Sequence, residues 1–317
     1  MVMAQSLFMT LKQTDPACQI DVLAPAWSFP ILDRMPEVAK AIAMPLVHGQ
    51  FALNERIKLA KSLRAEQYQQ AIVLPNSWKS ALIPFFANIP LRTGYIGEVR
   101  WGLLNDTRKL DKKLLTMTVQ RFVALGLPKN EVQAPDYPAP VLKIEAVNQQ
   151  AVIDKFNLDS SNKILALCPG AEYGSAKRWP VTHYAELAKQ KLAEGWSVWI
   201  FGSDKDADIA EQINTLTNHA CQDFSGKTTL AEAVDLMSLA EVVVSNDSGL
   251  MHVAAALGKK VIALYGSSDP GFTPPLSKDA TIIDLNLDCS PCFKRECPLG
   301  HTRCLKDISP QQVLEHI

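Results

Sequence analysis

Short runs of β-branched and other apolar residues alternate with amphipathic segments along most of the 317-residue chain. Ala4, Leu7, Phe8 and Leu11 share one helical face, so the sequence opens inside a helix predicted over residues 4–14. A strand follows at 20–23, a short helix around Leu32 and an edge strand at 39–43. Residues 54–65 are amphipathic, with Ile57, Leu59, Ala60 and Leu63 inward, and lead to a buried strand at 71–74. A polar turn and a second helix come next, then a strand at 91–95 and a helix at 114–125. Residues 129–150, with Pro135, Tyr137, Pro138 and Pro140, have linker composition. The chain thus divides into an N-terminal domain over 1–140, a linker over 141–160 and a C-terminal domain over 161–317.

The second half is the more regular. Strands are predicted at 164–168, 198–201, 242–245 and 261–265, and helices at 182–194, 206–216, 230–239 and 250–257. Strands alternating with helices through short turns imply a doubly wound parallel sheet, whose ligands sit at the carboxyl ends of its strands. Those ends read PGAEYGSAKRWP (169–180), GSDKD (202–206), NDSG (246–249) and YGSSDP (265–270), polar glycine-bearing turns gathered on one rim. The sharpest is VVVSNDSGLMHVAAAL, residues 242–257: a buried strand, a tight turn and a small-residue helix. Free N–H groups and the positive end of a helix dipole beside Gly249 suit a phosphate, with Ser248 as N-cap. The competing reading is an ordinary capped strand–turn–helix unit, present in every α/β protein.

Composition narrows the classes. Hydrophobic residues make up 47% of the chain, enough for substantial cores. Lys plus Arg (32) nearly balances Asp plus Glu (33), and with no long basic run nothing points to nucleic acid. No uninterrupted apolar stretch is long enough for a transmembrane helix, and residues 1–9 lack the basic start of a signal peptide. A cytoplasmic protein, free to attach to a membrane surface, is expected. Cys18, Cys168 and Cys221 are scattered in apolar context, as in a reducing compartment.

Lys177, between a strand and a helix, is placed to meet a phosphate held by Ser248 and Gly249, or to be a surface lysine. Asp204 and Asp206 suit sugar hydroxyls of a nucleotide, or cap a helix. Asp247, which would repel a neighbouring phosphate, orients the turn or meets a sugar hydroxyl or a cation, the first being the favoured reading. His252, one turn into the helix, faces the same pocket or makes a structural hydrogen bond. In the first half, Lys79 lies in the first turn of a helix, and Arg92, Arg100 and Arg108 fall in a glycine-bearing, loop-rich stretch that suits an anionic substrate or plain solvation. Neither a P-loop nor a G-x-S-x-G elbow is present. Cys289-x-x-Cys292, Cys297 and Cys304, with His301 nearby, could hold a structural zinc; free thiols or a labile disulfide are the alternatives.

Five stretches are more specific. CPGAEYGSAKRWP, SNDSGLMHVAAALGKKVIALYGSSDP, FTPPLS, VLPNSWKSALIPFF and RTGYIGEVRWGLLND closely resemble the bacterial ADP-heptose:lipopolysaccharide heptosyltransferases, and the resemblance spans nearly the whole chain. It implies a GT-B fold of two doubly wound Rossmann-like domains facing a cleft. It also implies inverting transfer of L-glycero-D-manno-heptose from ADP-heptose to the first inner-core heptose of a heptosyl-Kdo-lipid A acceptor. A monomer, peripheral at the cytoplasmic face of the inner membrane and needing no metal for transfer, would follow. Lys177, Ser248 and Gly249 would bind the diphosphate, with Asp247 and His252 in the same donor motif and Asp204 to Asp206 near the nucleoside. Ser77, Lys79, Arg92 and Arg100 would line the acceptor side. Family members begin with a strand and a glycine-rich turn ending in an aspartate, the general base by resemblance. This sequence starts at the following helix, Met1-Val2-Met3-Ala4-Gln5-Ser6-Leu7. A first domain lacking its N-terminal strand, and donor binding with little transfer until upstream residues are supplied, are therefore expected. A non-catalytic nucleotide-sugar-binding relic and an enzyme of the same fold using another sugar nucleotide are the alternatives.

Overall fold

The computed structural model describes residues 1–46, 49–129 and 133–317. Residues 47–48 and 130–132, the latter inside the stretch of linker composition, lie outside the described residues. The chain forms two compact units, essentially residues 3–138 and 139–317.

The first unit runs α1 (Gln5–Thr14), β1 (Ile20–Ala24), α2 (Phe29–Leu32), β2 (Val38–Ala43), α3 (Leu53–Leu63), β3 (Gln70–Val73), α4 (Trp78–Phe86), β4 (Leu91–Tyr95), β5 (Asp106–Arg108) and α5 (Thr118–Gly126). Among the described residues its strands form two parallel sheets, β1-β2 and β3-β4-β5. Ala60 and Leu63 of α3 meet Ile83 of α4, with Ala87 and Ile89, over the inner side chains of Leu23 and Ile42. Helix α5 begins later than its apolar pattern suggests because the Asp111 carboxylate accepts from the N–H groups of Lys113 (2.9 Å) and Leu114 (3.1 Å), holding a turn where a helix was predicted.

The second unit runs α6 (Ala146–Phe156), β6 (Ile164–Cys168), α7 (Val181–Ala193), β7 (Ser197–Ile200), α8 (Ala207–Leu216), β8 (Gln222–Asp223), α9 (Leu230–Met237), β9 (Val242–Asn246), α10 (Gly249–Ala256), β10 (Lys260–Leu264), β11 (Ala280–Ile283), α11 (Arg303–Lys306) and α12 (Pro310–Leu314). Its six strands are parallel, in the order β11-β10-β9-β6-β7-β8. Central strands β6 and β9 are buried at every position, which is why their sequences are continuous apolar runs rather than alternating ones. Leu165, Leu167, Val244 and Leu264 pack with Trp179 and Tyr184 of the covering layer.

Residues 141–160 do not act as a linker. Helix α6 belongs to the second unit: Gln149 donates to the Ser238 hydroxyl (2.7 Å), Lys155 pairs with Glu232 (2.6 Å), and Phe156 meets Phe224 edge-on at 5.4 Å. The proline-rich approach misled because an apolar face as narrow as that of α6 reads as polar linker until α9 is placed beside it. Among the described residues no helix is long and apolar enough to cross a membrane.

Leu167 is fully buried in central strand β6. Leu167→Ala should lower unfolding free energy by about 2–5 kcal/mol in urea titrations, and a loss well below that range would mean the sheet collapses into the cavity.

Candidate functional site

From β6 the second unit builds outward to β7 and β8, then returns to place β9 on the other side of β6. The strand order reverses between β6 and β9, so the loops at their carboxyl ends diverge and leave room for a ligand. Asn246, the last residue of β9 and fully buried, ties the two loops together. Its amide nitrogen donates to the Pro169 carbonyl (2.8 Å), and its side-chain oxygen accepts from the Trp179 N–H (3.1 Å) and the Tyr184 hydroxyl (3.2 Å). Every polar atom of that amide group has a partner, as burial demands.

On this anchored frame Lys177 meets Asp247 in a short Nζ–Oδ2 ion pair. The ammonium also lies 5.3 Å from the Tyr173 ring centre, and the Arg295 guanidinium faces the same ring at 5.4 Å. A cation on this rim is thus held in place by an aromatic face and a carboxylate before any anion arrives. Ser248 occupies the N-cap position of α10, as expected, but its hydroxyl makes no cap; it turns 3.2 Å from the Ser245 hydroxyl. The first-turn N–H groups of α10 are left without a side-chain acceptor, and a Cβ on Gly249 would meet nothing within 4 Å. Open space, uncapped donors and a helix dipole coincide with a paired lysine, an arrangement chemically suited to an anionic group.

His252 lies one turn further along α10. Its Nδ1 is buried without a partner, and burial pushes the imidazole down to about 4, so it is neutral near pH 7. Asp206 takes part in a helix cap. Its carboxylate accepts from the N–H (3.0 Å) and hydroxyl (2.8 Å) of Ser203 in a capping box, and it packs so closely on Gly170 that a Cβ there would sit 2.5 Å from it. Asp204 is exposed and lies against Gly226. The structure therefore brings together Lys177, Asp247, Ser248, Gly249 and His252, keeps Asp204 at the neighbouring turn and assigns Asp206 to the helix cap.

The first-unit residues divide differently. Ser77 is the N-cap residue of α4 and sits beside the Ser80 hydroxyl, and Lys79 donates to the Gly49 carbonyl at 3.0 Å. Arg92 and Arg100, expected on the acceptor side, are committed to the backbone. Arg92 donates to the carbonyls of Leu103 (2.7 Å) and Ile89 (2.6 Å); Arg100, 2% exposed, donates to those of Pro75 (2.7 Å) and Tyr95. Arg108 likewise serves Ala124 and Leu127. Loop arginines read as ligand-seeking from sequence because the groups that claim them are backbone carbonyls, which the fold brings into place and residue type does not mark. Asn246 and Tyr173 were missed for the same reason, since neither is distinctive until its partners are in place. The cysteines at 289, 292, 297 and 304 are all free thiols.

The model of glycosyltransferase family 9 (heptosyltransferase) matches residues 56–303. The chain is 48% identical to lipopolysaccharide heptosyltransferase 2 of Salmonella typhimurium and, equally, to lipooligosaccharide heptosyltransferase 2 of Haemophilus influenzae, covering 100% of this chain and 94% of each relative. Among solved structures it is similar to E. coli ADP-heptose heptosyltransferase II, with a TM-score of 0.88 at 46% identity over 100% of this chain and 93% of that one. E. coli heptosyltransferase WaaC with ADP shares the fold at a TM-score of 0.69 and 18% identity, over 99% and 94% of the two chains. The fold is of the GT-B type seen in these enzymes.

Arg100→Ala should cost about 1–3 kcal/mol in thermal or urea unfolding, because it leaves buried carbonyls unpaired; a stability change near zero would return Arg100 to the list of ligand contacts. For His252 the depressed pKa means that the unfolded chain protonates first as pH falls. Stability that is full above pH 6.5 is lost progressively as pH drops toward about 4. Wild type should thus lose more stability than His252→Gln between pH 7 and pH 5, and equal losses would show that another group titrates there.

Proposed function

Because the chain belongs to glycosyltransferase family 9, the heptosyltransferases, we propose that it transfers L-glycero-D-manno-heptose from ADP-heptose to the first heptose of the lipopolysaccharide inner core, with inversion at the anomeric carbon. The observation that carries this reading is the rim at the β6/β9 switch point, in a chain whose likeness to heptosyltransferase 2 proteins runs from end to end. A relic that only binds nucleotide sugar finds no support in a similarity of that extent. A different sugar nucleotide is favoured by no observation.

The leaving group is the ADP diphosphate, on which negative charge grows as the glycosidic bond breaks. Lys177 would exchange part of its contact with Asp247 for a phosphate oxygen, while the uncapped N–H groups of α10 receive another beside Gly249. Both sets of donors are in position beforehand, so little reorganisation is needed as charge develops. Asp247 then keeps the ammonium aimed at the phosphates rather than repelling them. Neutral His252 can donate or accept a hydrogen bond in this site, and Asp204 is the remaining carboxylate for the nucleoside. Ser77 and Lys79 stand at an equivalent strand–turn–helix junction of the first unit and suit an anionic acceptor. No base is assigned among the described residues. A lipid-anchored acceptor places the reaction at the cytoplasmic face of the inner membrane, with the protein peripheral to it.

ADP should raise the melting temperature and UDP should not, and stabilisation by UDP alone would overturn the heptose donor. Lys177→Ala should weaken ADP binding by roughly 10- to 100-fold in calorimetric titration, the value of a charge-assisted hydrogen bond. Unchanged affinity would remove Lys177 from the site. With ADP-heptose and a core acceptor ending in its first heptose, mass spectrometry should find one added heptose.

A further inference from the structure

The transfer reaction makes no use of the four clustered cysteines, yet the fold treats them as a unit. Residues 284–302 contain no helix or strand, and Phe293 and Leu299 are exposed, so this loop has almost no core of its own. Loops of this length without secondary structure or a staple are uncommon in compact domains. What the loop encloses is a cavity of about 20 Å³ lined by Cys289, Cys292, Cys297 and Cys304, room for one water-sized occupant. Ser267 lines the same space; it is 1% exposed, and its hydroxyl has no hydrogen-bond partner. A buried hydroxyl without a partner is costly, and a thiolate in the same space would give this one an acceptor.

We propose that Cys289, Cys292, Cys297 and Cys304 bind one zinc ion as a closed tetrathiolate site, and that the ion staples the loop supporting the Lys177 turn. The residue set is the one a structural zinc takes: a Cys-x-x-Cys pair and two further cysteines close in sequence, with all four residues lining one cavity. Cys297 is prepared for the role. The Thr302 N–H lies 3.5 Å from its sulfur, and the turn is closed by the Gly300 N–H on the Cys297 carbonyl at 3.0 Å, with Gly300 at φ +69°, where glycine is favoured. N–H donors around a sulfur stabilise the negative charge that a metal-bound thiolate keeps. Among the described residues no three such side chains already stand in a metal-holding arrangement, so binding draws the sulfurs inward onto the ion.

The loop reaches the donor rim directly. The Arg295 carbonyl accepts from the Ala176 N–H at 3.0 Å, next to Lys177, and a Cβ on Gly174 would come within 2.3 Å of that same carbonyl oxygen. Tyr173, the ring under the Lys177 ammonium, donates its hydroxyl to the Phe293 carbonyl at 2.8 Å. The Phe293 N–H in turn donates to the Ser267 carbonyl at 2.7 Å, and the Ser290 hydroxyl donates to that of Gly266. A loop fixed by zinc therefore holds the turns after β6 and β10 in register. The metal assignment stands on the cysteines alone, whereas its effect on ADP binding rests on the donor-site reading above.

Elemental analysis of the whole protein, purified under reducing conditions without chelator, should find close to one zinc per chain. Replacement by Co²⁺ should give the visible and near-ultraviolet bands of tetrahedral cobalt–thiolate. Cys289→Ser and Cys292→Ser should each lower zinc content at least tenfold under dialysis, with far-ultraviolet circular dichroism unchanged, while Cys18→Ser should keep the metal. Removal of zinc should weaken ADP binding severalfold, and its return should restore it. Protein free of zinc with four alkylatable thiols, a disulfide among these cysteines, or iron in place of zinc would each overturn the assignment. Zinc bound by a chain that does not recognise ADP would sink the donor reading and leave the metal site standing; ADP binding unaltered by zinc removal would retain the site and overturn the support it gives to Lys177.

Discussion

The Asn246 side chain is the interaction on which the rim at the β6/β9 switch point depends. A doubly wound sheet pulls its loops apart where the strand order reverses, and this separation would leave two unrelated turns unless something spanned it. One buried amide bridges the start of the β6 loop at Pro169, its end at Trp179 and the first turn of α7 at Tyr184. Because the amide is fully buried, each of those hydrogen bonds is costly to break, so the loop carrying Lys177 is closed at both ends on the same side chain. Asp247 follows Asn246 directly, which brings the carboxylate and the ammonium together without a long search by either side chain.

The chemistry inherits that rigidity. The ion pair between Lys177 and Asp247 is mostly buried, and such a pair contributes more to geometry than to stability, since desolvation offsets much of its Coulombic attraction. Its use lies in presenting a cation beside uncapped helix donors. Ser248 could have capped α10 internally; its hydroxyl lies instead beside Ser245, and the helix end remains available to a ligand. The loop with the four cysteines then backs the same turn from outside through Ala176 and Tyr173. Asn246, Asp247, Tyr173 and the outer loop thus form a chain of contacts leading to one lysine.

Much of this was legible in the sequence. The buried runs at 164–168 and 242–245 appear as β6 and β9 because strands covered on both faces must be apolar throughout. The turn at 246–249 was legible as a strand–turn–helix junction because glycine and hydroxyl residues follow an apolar run and precede a small-residue helix. Lys177 is paired with that turn by its place between a strand and a helix on the same rim, with a surface lysine as the alternative, and its contact with Asp247 appears only in the folded chain.

Sequence by itself determined the order of most elements, the parallel sheet of the second unit and the strand–turn–helix unit at 242–257, since each follows from periodicity, turn chemistry and short-range hydrogen bonding. Tertiary structure decided which polar residues were already spoken for. Arg92 and Arg100 look like surface cations until the carbonyls of Ile89, Leu103, Pro75 and Tyr95 close around them. The same holds for α6, which became part of the second unit only against α9. The physical reason is common to all: a buried donor or acceptor must be satisfied, and its partner is chosen by proximity in space, which local sequence does not encode.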